Sequence, residues 1–332
     1  MLSCVVRRRS TVLCAIVAAL VVACGGGSSG SDDASSSTST ASATTTEAVT
    51  TIEGEISTPD GRARTYRLHV PPQSGEDPPP LLLALHGGGG SPEQFERASR
   101  VAELARTAGV LVAVPGGSGG GRTGAGLQTW NAGQCCGPAA SDDVDDVGFL
   151  RTLVDQLAAT YGTDPSRVVV TGHSNGAAMA YRLACELGDR VLAIAVQSGP
   201  LGVDPCTPAR PVSVMHIHGS QDRNVPVEGG TGSQGLSGVD WPPAARGVEL
   251  LAAAAGCDAV PVESTDPGPP AVHRRSWGRC DDGARAVYVV VDGAAHAWMG
   301  TAGTGRRGDA ADVGFDTTSE VWAFLEGQLA DR

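Results

Sequence analysis

Along this chain, short apolar runs alternate with longer segments of helical spacing. Leu81-Leu82-Leu83-Ala84-Leu85 is continuous, as in a strand buried on both faces of a sheet. Arg64 to Val70, Val110 to Val114, Val168 to Val170, Val191 to Val196, Val212 to His218, His273 to Trp277 and Ala286 to Val291 read as further strands. Helices are predicted from Ser91-Pro92 to about Ala108, from Asp142–Asp146 to Tyr161, over 175–187, from Pro242 to Ala255 and from Asp316 to Leu329. This alternation predicts an α/β fold with a mostly parallel central sheet and helices on both faces.

One junction stands apart. Val168-Val169-Val170-Thr171 leads into Gly172-His173-Ser174-Asn175-Gly176, and good helix formers follow. Gly-x-Ser-x-Gly between strand and helix is a nucleophile elbow: the glycines let the two arms approach, and the strained serine backbone pushes Oγ into a cleft. In a chain with 46 glycines the motif alone has little value, and it recurs around Ser28 and Ser118. Ser28 lies in a polar low-complexity run, and Ser118 in a glycine-rich loop that leads into no helix. Ser174 is therefore the candidate nucleophile.

The other strand ends supply what a serine nucleophile needs. Leu85 runs into His86-Gly87-Gly88-Gly89-Gly90, where the bare backbone of Gly88 or Gly87, with the N–H of Asn175, would make an oxyanion hole. The strand ending at His218 leads into Gly219-Ser220-Gln221-Asp222, which puts a carboxylate at the same edge. The last strand runs into Asp292-Gly293-Ala294-Ala295-His296-Ala297-Trp298, so His296 is the candidate general base. His173 is expected to point into the fold, and His216 and His218, on one strand face, to be packed or hydrogen-bonded and not metal ligands. The long loop from Pro115 to Ser141 is expected to wall the cleft, with Trp130 lining it. Asp142 to Asp146 are expected to cap the following helix and complement its dipole.

Composition adds a compartment. Net charge is −12, and the first 24 residues carry Arg7, Arg8 and Arg9 but no acid, so the remainder is more acidic still. Such a chain has no electrostatic footprint for nucleic acid. The basic cluster, the apolar run Thr11 to Ala23 and Val21-Val22-Ala23-Cys24 predict a signal peptide over 1–23. The last four residues have the form of a lipobox, which would place lipid on Cys24; an ordinary signal cut near Ala23 is the alternative. Residues 24–50 read as a flexible Gly/Ser/Thr-rich tether, and 51–332 as a single catalytic domain. The chain is then exported, held at the membrane only through the anchor, or secreted. Cys135, Cys136, Cys185, Cys206, Cys257 and Cys280 remain, an even number that suits disulfides outside the cytoplasm. Cys257 is expected to pair with Cys280, and adjacent Cys135 and Cys136 to reach Cys185 and Cys206. The paired spacing zinc wants is missing.

The order Ser174, Asp222, His296 is that of α/β-hydrolase triads, and such chemistry requires neither metal nor organic cofactor. With Leu85-His86-Gly87-Gly88, Trp130-Asn131-Ala132-Gly133, Cys135-Cys136-Gly137, Asp145-Asp146-Val147-Gly148-Phe149, His218-Gly219, Val225-Pro226 and His296-Ala297-Trp298, the chain from about Gly61 to Leu329 resembles the polyhydroxybutyrate depolymerase and feruloyl esterase group of α/β-hydrolases, LpqC-type bacterial lipoproteins among them. The resemblance implies a secreted carboxylic-ester hydrolase with that triad, acting on a small or oligomeric ester: a hydroxycinnamoyl or acetyl sugar ester, or a short hydroxyalkanoate. Trp298 joins Trp130 as a candidate substrate contact. Two positions depart from the group's pattern, His173 for Met or Leu and Met299 for Pro. The competing readings are a non-catalytic envelope binding protein on the same fold, and an acyltransferase or peptidase using the same triad.

Overall fold

The structure is a computed structural model that describes residues 48–72, 77–119, 127–235, 237–301 and 308–332. The signal segment, Cys24 and nearly all of the tether lie outside the described residues. Residues from Thr46 to Arg332 make one compact unit.

Its strands are β1 (Thr50–Ser57), β2 (Ala63–Val70), β3 (Leu81–Leu85), β4 (Leu111–Pro115), β5 (Val168–His173), β6 (Val191–Gln197), β7 (Ser213–Gly219), the short pair β8 (Gly230–Thr231) and β9 (Asp240–Trp241), then β10 (Val262–Asp266), β11 (Val272–Trp277) and β12 (Ala286–Val291). The helices are α1 (Pro92–Ser99), α2 (Leu104–Thr107), α3 (Gly137–Ser141), α4 (Asp146–Tyr161), α5 (Asn175–Glu186), α6 (Ala245–Ala254) and α7 (Thr317–Asp331). A 10-stranded sheet has the order β1-β2-β4-β3-β5-β6-β7-β12-β11-β10. From β4 to β12 it is parallel, and the strands at both margins join antiparallel. This is the expected α/β-hydrolase architecture.

The strand period of two divides the core. Leu81, Leu83, Leu85, Val168, Val170, Ile194 and Val196 pack on one face with α4, α5 and α6, while Leu82, Ala84, Val169, Ala193 and Ala195 pack on the other with α1, α2 and α7. Every residue of β3, β4, β6 and β7 is buried, which accounts for their nearly continuous apolar runs. Because all central strands point one way, their C-terminal ends bring the loops after β3, β5, β7 and β12 to one edge.

The structure departs from the sequence expectations at several places. β1 begins where the tether was expected to end, and β10 was not expected; all five residues of β10 and most of those of β1 are exposed, so these margin strands lack an apolar run. The helix opened by Ser91 stops at Ser99, because Arg100 turns left-handed (φ 55°) and its guanidinium is held by Gly300 O and Asp316. Cys257 pairs with Cys280 as expected, but Cys135 bonds its neighbour Cys136 and Cys185 bonds Cys206. Because Cys185 and Cys206 bond each other, neither is left for Cys135 or Cys136. Of the acids before α4, Asp145 caps it by accepting from Gly148 N at 2.7 Å. Asp146 instead points inward and is fully buried, 2.6 Å from the equally buried Arg64.

Burial pushes the Asp146 carboxyl up, and the Arg64 charge opposes that push. Removing the cation would leave an uncompensated buried carboxylate, so Arg64→Ala is expected to cost about 3–5 kcal/mol at pH 7. A carboxyl raised further in the folded state has its favourable contribution at low pH and loses it as pH rises, so the deficit should shrink toward about pH 4. Urea unfolding of both proteins at the two pH values measures it; an equal deficit at both would contradict this account of the pair.

Candidate active site

β5 ends in a turn that only these residues permit. Ser174 sits at φ 56°, ψ −121°, outside the ordinary regions for a side-chain-bearing residue. A Cβ at Gly172 would lie 2.5 Å from Gly176 O, one at Gly176 2.3 Å from Leu85 O, and one at Gly199 overlaps Ser174 O. The first two glycines were legible as the motif. Gly199, after β6, was not, because nothing in its local sequence marks a close approach.

The turn presents Ser174 Oγ to His296 Nε2 at 2.9 Å, and His296 Nδ1 lies 2.7 Å from Asp222 Oδ2. Asp222 Oδ1 accepts from the N–H of Asn224 and of Val225, both at 2.9 Å. An acceptor-only carboxylate requires the imidazole proton on Nδ1, so Nε2 offers its lone pair to the serine hydroxyl. Burial works against the Asp222 charge, but the bonds from His218 and His296 outweigh it and hold the carboxyl well below the usual range. The arrangement can take a proton from Ser174 and stabilise the resulting imidazolium.

The His86–Gly90 turn is rigid. Gly117 N donates to His86 Nε2 at 2.9 Å, which leaves the ring proton on Nδ1 to bond Gly87 O, also at 2.9 Å. Gly90 N reaches the same oxygen, and Gly89 N bonds Gln128 O. Burial lowers the His86 pKa to about 4, so this tautomer is kept at neutral pH. Gly87 lies against the elbow, where a Cβ would stand 3.4 Å from Ser174 Cβ. Gly87, Gly88 and the N-terminus of α5, which starts at Asn175, thus border the place where an oxyanion would form.

Trp130 does not line the cleft. It is fully buried, its indole N–H donates to His86 O at 2.9 Å, and that bond draws the ring beneath the loop. Its backbone is clamped by the Asn175 side chain: Trp130 N donates to Oδ1 at 2.7 Å, and Nδ2 donates to Trp130 O at 2.9 Å. One residue on, Asn131 N donates to Asp146 Oδ2 at 2.7 Å, which ties the clamp to the Arg64–Asp146 pair. The sequence pointed to the Asn175 N–H alone, not to its side chain. Gln197 was also missed, although a polar residue closing the run Ala193-Ile194-Ala195-Val196 is an available signal. Buried, it donates to Ala297 O and accepts from Thr317 Oγ1 and Met299 N, fixing the loop that carries His296.

A cleft of about 420 Å³ opens over Ser174 and His296. Phe95, Ala297 and Trp298 give it an apolar side, with Trp298 edge-on to Phe95 at 5.2 Å, and Ser91, Gln94 and Arg97 give a polar one. His173 lines this cleft, its ring 4.9 Å from that of His296 and tilted to it by 39°, and does not point away into the fold. Burial lowers its pKa to about 3, and it stays neutral beside the base. His216 and His218 hydrogen-bond each other at 2.9 Å, as expected for packed histidines.

With this geometry in hand, comparison with known proteins decides the family. The sequence profile described as "Putative esterase" matches residues 57–284. The chain belongs to that esterase family. The chain is 30% identical over 255 residues to "Putative esterase NocK" of Nocardia uniformis subsp. tsuyamanensis, covering 72% of each. Against "Feruloyl esterase B" of Piromyces equi it is 29% identical over 215 residues, 63% of this chain but 38% of that protein, so it spans well under half of that relative. The acetyl xylan esterase from Aspergillus awamori superposes with a TM-score of 0.49 at 17% identity, over 74% of this esterase and 94% of that one. By its family this esterase is a carboxylic ester hydrolase, and its sheet order is that of the α/β-hydrolase fold.

Asn175→Ala keeps the backbone donor and removes the clamp. Steady-state ester hydrolysis should show kcat lowered by about 10–100-fold from misplacement of that donor, with KM changed far less. An unchanged kcat would mean that the clamp does not position the elbow.

Proposed function

We propose that this esterase is exported, is lipid-anchored through Cys24, and hydrolyses hydroxycinnamoyl or acetyl esters of sugars through an acyl-enzyme on Ser174. His296 removes the hydroxyl proton as Oγ attacks the ester carbonyl, and the negative oxygen is received by the N–H of Asn175 with that of Gly88 or Gly87. His296 then returns the proton to the departing alcohol. Water, deprotonated by the same ring, attacks the acyl group and restores Ser174. Asp222 holds the ring in the required tautomer throughout.

The observation that carries this reading is the single imidazole bridging Ser174 Oγ at 2.9 Å and Asp222 Oδ2 at 2.7 Å. The mixed lining of the cleft, aromatic and apolar at Phe95 and Trp298 and polar at Ser91, Gln94 and Arg97, suits a planar acyl group or a sugar, and the likeness to a feruloyl esterase and an acetylxylan esterase/xylanase supports that substrate class. Export is supported by the leader read at 1–23 and by three disulfides. Among the described residues no helix is long and apolar enough to cross a membrane.

The test is a panel of methyl ferulate, p-nitrophenyl acetate and a peptide amide, run on wild type and Ser174→Ala. Wild type should cleave the esters and leave the amide, and the variant should lose at least about 10⁴-fold in kcat/KM. A fluorophosphonate probe should label wild type only. Absence of both turnover and labelling would point to a binding protein, and preferential amide cleavage to a peptidase.

A further inference from the structure

Behind the triad carboxylate lies a file of buried polar side chains that the mechanism does not use. Tyr181 Oη is 2.9 Å from His216 Nδ1, His216 Nε2 is 2.9 Å from His218 Nδ1, and His218 Nε2 is 2.8 Å from Val225 O and 3.4 Å from Asp222 Oδ2. Both histidines are fully buried, and Tyr181 with them.

The proton positions follow from the far end. Val225 O only accepts, so His218 must carry its proton on Nε2. A neutral His218 then offers Nδ1 as acceptor, which obliges His216 to donate from Nε2 and to accept at Nδ1 from the Tyr181 hydroxyl. Every proton in the file points toward Asp222. The alternative, a cationic His218, would bury a second positive charge against a carboxylate that must also serve the imidazolium of His296. Burial pushes the His216 ring well below its ordinary pKa, in keeping with the neutral form.

We propose that His218 is a positioning residue for the triad: neutral, held in its donor tautomer by His216 and Tyr181, it shares Asp222 Oδ2 with His296 and so fixes both the place and the basicity of that carboxylate. This rests on the reading of Ser174, Asp222 and His296 as a catalytic unit. A carboxylate relieved of the second donor would hold the charged His296 more tightly, and the acid limb of the pH–rate profile would move to higher pH. The other groups facing this file are Tyr288 of β12, 5.8 Å from His216, with Arg275 over its ring and Glu228 and Glu249 acting on it, and His173 beside His296.

Two measurements test it. In wild-type protein labelled with ¹⁵N-histidine, His216 and His218 should both show a protonated Nε2 and a bare Nδ1 between about pH 7 and 9, the range in which an ordinary histidine is mostly neutral. A doubly protonated His218, or a proton on its Nδ1 alone, overturns the proposal. This readout needs no turnover, so it stands apart from any failure of the esterase reading. In ester hydrolysis, His218→Leu should move the acid limb of kcat/KM upward by roughly half a unit or more, while His218→Gln, which keeps a donor at the Nε2 position, should leave the limb in place. A loss that is uniform with pH in His218→Leu overturns the positioning role. Should His218→Leu not fold, the wild-type NMR spectrum and the pH–rate profile of His218→Gln decide, since a Gln variant with a displaced limb is equally contrary.

Discussion

The site depends on a backbone held where it would not rest by itself. Ser174 has a positive φ, and it is surrounded by approaches so close that Gly172, Gly176 and Gly199 cannot carry a Cβ. The conformation persists because β5 is hydrogen-bonded on both sides and α5 is packed among buried residues, so relaxing the turn would shear a strand against a helix in the core. Strain at one residue is thereby exchanged for a hydroxyl that projects from the sheet toward the loops of three other strands.

Those loops are fixed by buried polar groups as well as by apolar packing. Asn175 grips Trp130, Trp130 grips His86, and Asn131 grips Asp146, which faces Arg64. On the other side Gln197 holds the His296 loop, and the file from Tyr181 to His218 ends at Asp222. In a low-dielectric interior such groups hold geometry closely, since any displacement leaves a donor or acceptor without its partner. Asn175 with the His86–Gly90 turn, His296 and Asp222 are each anchored by a different network, and all of these meet around Ser174 at the end of β5.

Much of this was legible in the sequence because a doubly covered parallel sheet writes itself as apolar runs. Leu81–Leu85 and Val168–Val170 could be read as buried strands, and their C-terminal ends named the loops that carry His86, Ser174, Asp222 and His296. Edge strands β1 and β10 lack that signature, since solvent meets most of their side chains. Trp130 was misplaced because an aromatic residue in a long loop suits a cleft wall as well as a buried strut, and only the position of His86 O distinguishes the two. An even count of cysteines does not distinguish a bond between neighbours Cys135 and Cys136 from bonds to Cys185 and Cys206. Asn175, Gln197 and Asp146 act through side-chain contacts between segments far apart in the chain, to which periodicity is blind.

The central claim is that Ser174, His296 and the backbone donors of the two loops form one reacting centre. A crystal structure of the enzyme inactivated by diethyl p-nitrophenyl phosphate tests it most directly. The account predicts a single adduct on Ser174 Oγ, with the phosphoryl oxygen within hydrogen-bond reach of Asn175 N and of Gly87 or Gly88 N. An adduct on another residue, or a phosphoryl oxygen turned away from both loops, would contradict it.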